Sequence, residues 1–136
     1  MKASLIDTDI LSMFFRGQAQ VVDSFRAYLS QYNTINLSML TYYEIVSGLK
    51  YRDAHKQIEL FLEFAAQNTL LPLTPRAVDI AAEKYAELRK AGVPIDDIDL
   101  LIAGTAIANG LALVTHNTKH FDRISDLETE DWAEAV

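Results

Sequence analysis

The chain contains no cysteine. Disulfide bridges, a thiolate zinc site and a cysteine nucleophile are therefore excluded. Proline and glycine are also scarce, with three and five copies among 136 residues, while half of the residues are apolar and 23% are charged. This composition excludes disordered and collagen-like chains and predicts one domain, residues 1–136, with a buried core.

Long hydrophobic runs are missing as well. The longest, from Leu100 to Val114, is too short to cross a bilayer and is interrupted by glycine and polar residues. Near the start of the chain, Asp7 and Asp9 interrupt an apolar stretch before a secretory signal could form. We expect a cytoplasmic protein with no membrane attachment.

Basic residues are outnumbered by acidic ones. Twelve lysines and arginines face nineteen aspartates and glutamates, which gives a net charge of −7. This sign does not suit a broad surface that binds phosphates unaided, so a nucleic-acid substrate would require cations. Residues 122–134 hold six acids and one base. They are typical of a solvated acidic end, or of a surface that contacts a basic partner.

Short apolar runs alternate with segments of helical periodicity. Strands are predicted at residues 3–6, 34–37, 70–73 and 111–114, with a weak one at 126–129. Helices are predicted at 10–15, 19–31, 54–67 and 75–91, with others after Ser38 and from Asp96 to Ala108. Thr8 or Asp9 would cap the first helix, and Pro72 indicates an edge strand. Continuous apolar strands predict a three-layer α/β domain whose parallel sheet is covered on both faces.

Acidic residues follow the predicted strands. Asp7 ends the first strand, Glu44 lies on the helix after the second, and Asp99 begins the helix before the 111–114 strand. The carboxyl ends of parallel strands share one edge, so these side chains should converge. Converging carboxylates repel unless a cation lies between them, and oxygen ligands without cysteine favour Mg²⁺ or Mn²⁺.

Some of these residues have simpler interpretations. Asp9 and Asp96 fit helix caps, and Asp97 fits a solvated acid in a first helical turn. His116 and His120 are spaced like a pair of zinc ligands, but the glutamate of a metalloprotease helix is missing between them. We predict a loop for this segment.

Four motifs together resemble the PIN-domain ribonucleases, and most closely the VapC toxins of toxin–antitoxin pairs. The motifs are LIDTD at 5–9, LTYYE at 40–44, GVPIDDIDLLIA at 92–103 and LVTHNTKHF at 113–121. The resemblance covers essentially the whole chain. It implies a parallel sheet of five strands, cleavage of RNA that depends on Mg²⁺ or Mn²⁺, a homodimer, and inhibition by a small cognate antitoxin.

The resemblance also implies roles for single residues. Asp7, Glu44 and Asp99 would bind the metal. Asn117 stands where many family members have a fourth acid; it would complete the catalytic set with one charge fewer. Further contacts would come from Thr115, Asp96 and Asp9 around the metal, and from Arg16, Lys50, Arg52 and Lys119 along the RNA.

Two other classes share part of this pattern. In a haloacid-dehalogenase-like phosphatase Asp7 would be the nucleophile and Asp9 the acid/base, with Asp96 and Asp97 as the later acidic pair. Glu44 and Asp99 would then have no role. In a receiver-like domain Asp7 and Asp9 would form an acidic pocket, but that fold needs an aspartate after the third strand, where this chain has Leu73 and Thr74.

Overall fold

A five-stranded parallel sheet forms the centre of the protein in a computed structural model that describes residues 1–134. The strands are β1 (Ser4–Ile6), β2 (Asn36–Ser38), β3 (Thr69–Leu71), β4 (Ala112–Val114) and β5 (Thr129–Glu130). Their order in the sheet is β3-β2-β1-β4-β5. The predicted parallel α/β architecture, with about five strands, is confirmed.

Seven helices are found in the described part of the chain. They are α1 (Thr8–Phe15), α2 (Ala19–Gln31), α3 (Met39–Tyr51), α4 (His55–Ala66), α5 (Pro75–Lys90), α6 (Asp97–Ala108) and α7 (Thr118–Phe121). The Ser38 hydroxyl caps α3 by accepting a hydrogen bond from the Thr41 amide at 3.0 Å, and Thr74 caps α5 in the same way. None of these helices is long and apolar enough to span a membrane.

The two faces of the sheet carry separate hydrophobic cores. On β1 and β4, Leu5 and Leu113 face one core, whereas their neighbours Ile6 and Val114 face the other. Side chains of α5, α6 and α7 complete the first core, and side chains of α1, α2 and α4 complete the second. Because successive side chains of a strand point to opposite faces, strands buried on both sides need helices on both sides. The three-layer prediction is confirmed.

The prediction for the start of α1 was wrong. Asp7, rather than Thr8 or Asp9, is the capping residue, and its carboxylate accepts from the Thr8 amide at 2.8 Å. Asp9 already lies inside the helix. Asp96 does precede α6 as predicted, but its side chain makes no capping hydrogen bond.

Strand and loop boundaries also differ from the predictions. β3 ends at Leu71, because Pro72 has no amide hydrogen to donate to a sheet. β3 is an edge strand, as Pro72 indicated. β5 begins only at Thr129, since Asp126 has a left-handed backbone with φ of 69°. The predicted loop after His116 contains the four-residue helix α7.

The strand order places a switch point beside β1. After β1 the chain builds β2 and β3 on one side, and then crosses to build β4 and β5 on the other. In such sheets a crevice opens at the carboxyl ends of the strands where the direction of winding reverses. Asp7 follows β1 and Thr115 follows β4, so both lie at that crevice.

Gly104 permits close packing of α5 on α6. A Cβ atom at this position would lie 2.4 Å from the carbonyl oxygen of Ala77 and 3.2 Å from the Cβ of Ala81. The Ala77 oxygen belongs to the backbone, so the helices would have to separate. Gly48 in α3 differs, because an added Cβ would meet nothing within 4 Å.

We therefore expect Gly104→Ala to lower the free energy of unfolding by about 1–3 kcal/mol, as overpacked sites do. Gly48→Ala should raise it by roughly 0.5–1 kcal/mol, because alanine favours a helix. Urea unfolding of both variants measures the difference. Equal effects of the two substitutions would contradict the close packing at Gly104.

Candidate active site

Asp7 is the buried acid at the switch point, with 6% of its surface exposed. Its Oδ1 accepts a hydrogen bond from the Thr8 amide and its Oδ2 accepts one from the Thr115 hydroxyl, both at 2.8 Å. Thr115 is itself fully buried directly after β4. The two hydrogen bonds fix the carboxylate between the ends of β1 and β4.

The surroundings of Asp7 raise its pKa to about 7. Burial is the largest cause, and the neighbouring charges of Asp9 and Asp99 add to it. The hydrogen bonds from Thr115 and Thr8 act in the opposite direction. A carboxylate in this position is destabilised at neutral pH by its own environment, and a nearby cation would relieve that cost.

Glu44 is connected to Asp7 through a single residue, Thr8. The Thr8 hydroxyl donates to Oε1 of Glu44 at 2.7 Å and lies 3.0 Å from the hydroxyl of Thr41. The amide of the same residue donates to Asp7. The first turn of α1 therefore holds the acid that follows β1 beside the acid on α3.

Asp99 reaches the same edge from the first turn of α6. Burial is the main cause that raises its pKa, and the charges of Asp96 and Glu44 raise it further, whereas His120 opposes them. The charge of Asp99 raises the pKa of Asp7, and the charge of Glu44 raises the pKa of Asp99, so the three acids are neighbours at this edge. Asp96 influences Asp99 from an exposed position.

His120 and Asn117 lie next to Asp99. Nδ1 of His120 is 3.5 Å from Oδ2 of Asp99 and 3.0 Å from Nδ2 of Asn117. Asn117 is exposed, and its backbone amide donates to the Thr115 hydroxyl at 3.1 Å. The segment after β4 thus brings the predicted Asn117 to the site together with a histidine.

Asp9 faces a neighbouring cluster. Its Oδ2 accepts from the His116 amide at 3.0 Å, and the His116 ring lies 2.8 Å from the carboxylate of Asp131. Ligand atoms of His116, Asp131 and Glu134 lie within 4.8 Å of one another, and within residues 1–134 no other group of three such side chains meets this spacing. His116 and His120 therefore contact different acids, which does not suit the zinc pair considered from their spacing.

The oxygens of Asp7, Glu44 and Asp99 do not all approach within that 4.8 Å spacing. This separation between the carboxylate oxygens still suits a hard ion, because Mg²⁺ keeps several water molecules and commonly takes only one or two carboxylates directly. Three acids, one of them buried with its pKa raised to about 7, and an amide side chain fit a hydrated divalent cation.

A cleft of about 570 Å³ begins at Thr8 and Glu44. Apolar side chains such as Phe61 and Leu49 form much of its lining, and Arg16 and Arg52 are among its polar residues. The other two bases predicted to bind substrate, Lys50 on α3 and Lys119 on α7, are exposed and do not line this cleft. Two of the four bases thus line the same cleft as Glu44.

Sequence reasoning missed the contributions of Thr8 and His120. Thr8 stands between two aspartates at a strand-to-helix turn, where a hydroxyl side chain commonly bonds to neighbouring groups, and this signal could have been used. His120 was considered only with His116. Its contact with Asp99 depends on α7, which the sequence pattern did not predict.

Comparison with known proteins assigns this fold to a family. The family model of the PIN domain matches residues 4–127. Ribonuclease VapC1 of Haemophilus influenzae strain R2866 is 31% identical over 133 residues, which cover 94% of this chain and 96% of that protein. The tRNA(fMet)-specific endonuclease VapC of Shigella flexneri is 32% identical over 98 residues, or 71% of this chain and 74% of that protein.

Solved structures agree with this assignment. A chain of VapBC2 from Rickettsia felis, bound to a DNA fragment from its promoter, superposes with a TM-score of 0.84 at 27% identity, covering 95% of this chain and 98% of that one. DNA-bound VapBC from Salmonella typhimurium gives 0.84 at 26% identity, with coverage of 97% and 99%. This chain therefore belongs to the PIN domain family and, within it, to the VapC ribonucleases.

Proposed function

We propose that this protein is the endoribonuclease toxin of a toxin–antitoxin pair and hydrolyses RNA phosphodiester bonds with the help of Mg²⁺ or Mn²⁺. The observation that carries the proposal is the meeting of Asp7, Glu44 and Asp99 at one edge of the sheet, from three distant parts of the sequence. Family membership and the names of the VapC relatives support the same activity.

Each residue has a separate task in this proposal. Asp7, Glu44 and Asp99 would hold the ion, and Thr8 and Thr115 orient two of these acids by hydrogen bonds. When bound, a divalent ion supplies an activated water molecule and neutralises charge on the phosphoryl group. Asn117 would add a neutral oxygen at the rim.

Substrate binding is assigned to the cleft beside Glu44. Arg16 and Arg52 would contact phosphates, since guanidinium groups bind phosphate oxygens in pairs. Lys50 and Lys119, exposed on α3 and α7, would contact RNA outside the cleft. The chain as a whole has more acidic than basic residues. A bound cation would therefore help to balance the phosphate charge of RNA at the site.

Two partners complete the proposal. A small cognate antitoxin would cover the site, which is supported by the VapBC complexes among the structural neighbours. A homodimer is supported by large apolar side chains exposed on α3 and α4, such as Tyr43, Tyr51 and Leu60, which are 63%, 90% and 54% exposed.

The geometry does not favour the alternative classes. Both oxygens of Asp7 accept hydrogen bonds, and Asp96 and Asp97 are exposed at the start of α6. This arrangement does not suit an aspartyl nucleophile with a late acidic pair. A receiver pocket lacks its third acid, because Leu71 and Pro72 stand at the end of β3.

Removal of one carboxylate should abolish catalysis. We expect Asp99→Asn and Glu44→Gln each to lower the RNA cleavage rate by at least about 100-fold, because the cation loses a ligand; EDTA should have the same effect on the wild type. Cleavage of a defined panel of fluorogenic RNAs with Mg²⁺ or Mn²⁺ measures the rates. Asp97→Asn, an exposed acid in the same helical turn, is the matched control and should keep full activity. Wild-type rates in Asp99→Asn or in EDTA would refute the proposal.

The metal-free protein should become less stable as the pH rises. The pKa of Asp7 is raised in the folded state from 3.8 to about 7, so its stabilising contribution is complete below pH 4 and is lost as the pH rises to about 7. At about 1.4 kcal/mol per pKa unit, the loss is on the order of 4 kcal/mol.

Urea unfolding in EDTA between pH 4 and pH 8 checks this expectation. Asp7→Asn should remove most of the decline, because the amide has no charge to bury. Added Mg²⁺ should restore stability to the wild type at pH 8 and have a smaller effect on Asp7→Asn. A wild-type profile that matches Asp7→Asn would show that Asp7 is not destabilised when ionised.

The two cleft arginines should contribute to RNA affinity. In an inactive Asp99→Asn background, Arg16→Ala and Arg52→Ala should each weaken RNA binding several-fold and reduce the logarithmic salt slope by about one. Fluorescence anisotropy at several salt concentrations measures both. Lys2→Ala, which changes a base before β1 at the opposite edge of the sheet, should leave the slope unchanged. If all three variants behave alike, the cleft does not bind the RNA backbone.

A further inference from the structure

The side chain of His120 lies between two groups that the proposed function uses. Its Nδ1 is 3.5 Å from Oδ2 of Asp99 and 3.0 Å from the side-chain amide of Asn117. The imidazole and the Asp99 side chain are 31% and 25% exposed, so both line a half-buried rim that solvent can enter. The imidazole of His120, on α7, thus lies beside the proposed cation site.

The distance between His120 and Asp99 is informative. At 3.5 Å it is at the limit of a hydrogen bond and well beyond the 2.7–2.9 Å that is typical of a charge-assisted pair. Two ligand atoms that bind one ion at about 2.1 Å are roughly 3.0–3.4 Å apart, for right-angled or tetrahedral arrangements. The spacing therefore suits two ligands of a common ion better than it suits an ion pair.

Asn117 fits the same arrangement. Nδ2 and Oδ1 of an asparagine are interchangeable by a half-turn of the side-chain amide, and the half-turn would direct Oδ1 of Asn117 toward His120. The backbone amide of Asn117 donates to the Thr115 hydroxyl, and that hydroxyl in turn donates to Asp7. Hydrogen bonds thus connect His120 to the buried Asp7 through Asn117 and Thr115.

We propose that His120 is a nitrogen ligand of the catalytic cation at this rim of the site. The inference rests on the proposed function, because it concerns the ion held by Asp99. It predicts a mixed set of oxygen and nitrogen ligands. Imidazole binds transition metals more readily than Mg²⁺, so the site should prefer Mn²⁺ over Mg²⁺.

His116 is the competing candidate. Its ring lies 2.8 Å from the carboxylate of Asp131, in the cluster with Glu134, and it contacts Asp9 through its backbone amide. A cation held there would be separate from Asp99. The third histidine of the chain, His55, begins α4 and is exposed. The three histidines allow an experiment in which each serves as a control for the others.

Pulsed electron paramagnetic resonance of bound Mn²⁺ tests the proposal directly. The Mn²⁺-loaded wild-type protein should show modulation from a directly bound imidazole ¹⁴N nucleus. His120→Gln should lose it, whereas His55→Gln and His116→Gln should keep it. Circular dichroism and thermal unfolding establish that each variant is folded. Because this readout reports a bond to the ion, it does not depend on turnover.

Metal titration provides a second measurement. His120→Gln should weaken Mn²⁺ binding by about tenfold or more and Mg²⁺ binding by less than about threefold, since glutamine offers an oxygen but no imidazole nitrogen. His55→Gln should change neither affinity. Equal losses for Mn²⁺ and Mg²⁺ would overturn the inference, because a positioning role of His120 would weaken both ions alike.

The remaining outcomes separate this inference from the proposed function. If Mn²⁺ binds in a way that Asp99→Asn abolishes but shows no ¹⁴N modulation, His120 is not a ligand, while the cation of the proposed function remains. If the modulation disappears in His116→Gln instead, the ion lies at the Asp131 cluster and the inference is overturned. If Asp99→Asn leaves Mn²⁺ binding unchanged, the metal part of the proposed function fails as well.

Discussion

A buried carboxylate determines how this site is built. Asp7 lies between the ends of two adjacent strands, almost without exposure, and it also caps the helix that follows. Its negative charge is unfavourable there, and the nearby acids Asp9 and Asp99 increase the cost. Two hydrogen bonds offset part of that cost. A fold that keeps such a residue accepts lower stability at neutral pH, and in the proposed function a bound cation would offset that cost.

The rest of the molecule holds this residue in place. Apolar helices cover both faces of the sheet, so β1 and β4 are buried and pair side by side in the closely packed centre. Gly104 lets α6 pack tightly on α5, and the start of α6 carries Asp99. The first turn of α1 connects Asp7 to Glu44 through Thr8. Each acid is therefore positioned by a different part of the core.

Much of this arrangement could be predicted from the sequence. Uninterrupted apolar strands and capped helices gave the three-layer parallel sheet, and the rule for strand ends gave one edge for Asp7, Glu44 and Asp99. Contacts that depend on side-chain direction could not be predicted. The cap at Asp7, the bridge through Thr8 and the approach of His120 to Asp99 all require the geometry of turns only a few residues long. Arg16 and Arg52 share a cleft only because α1 and α3 pack side by side, which composition alone does not reveal.

The site collects its side chains from nearly the full length of the chain. Asp7 follows the first strand, whereas His120 lies on the last helix of the described residues, and β1 pairs with β4 more than 100 residues later. A ribosome must release the chain past β4 before the Thr115 hydroxyl can reach Asp7. The nascent chain therefore carries the buried acid without one of its two hydrogen bonds until that strand has emerged.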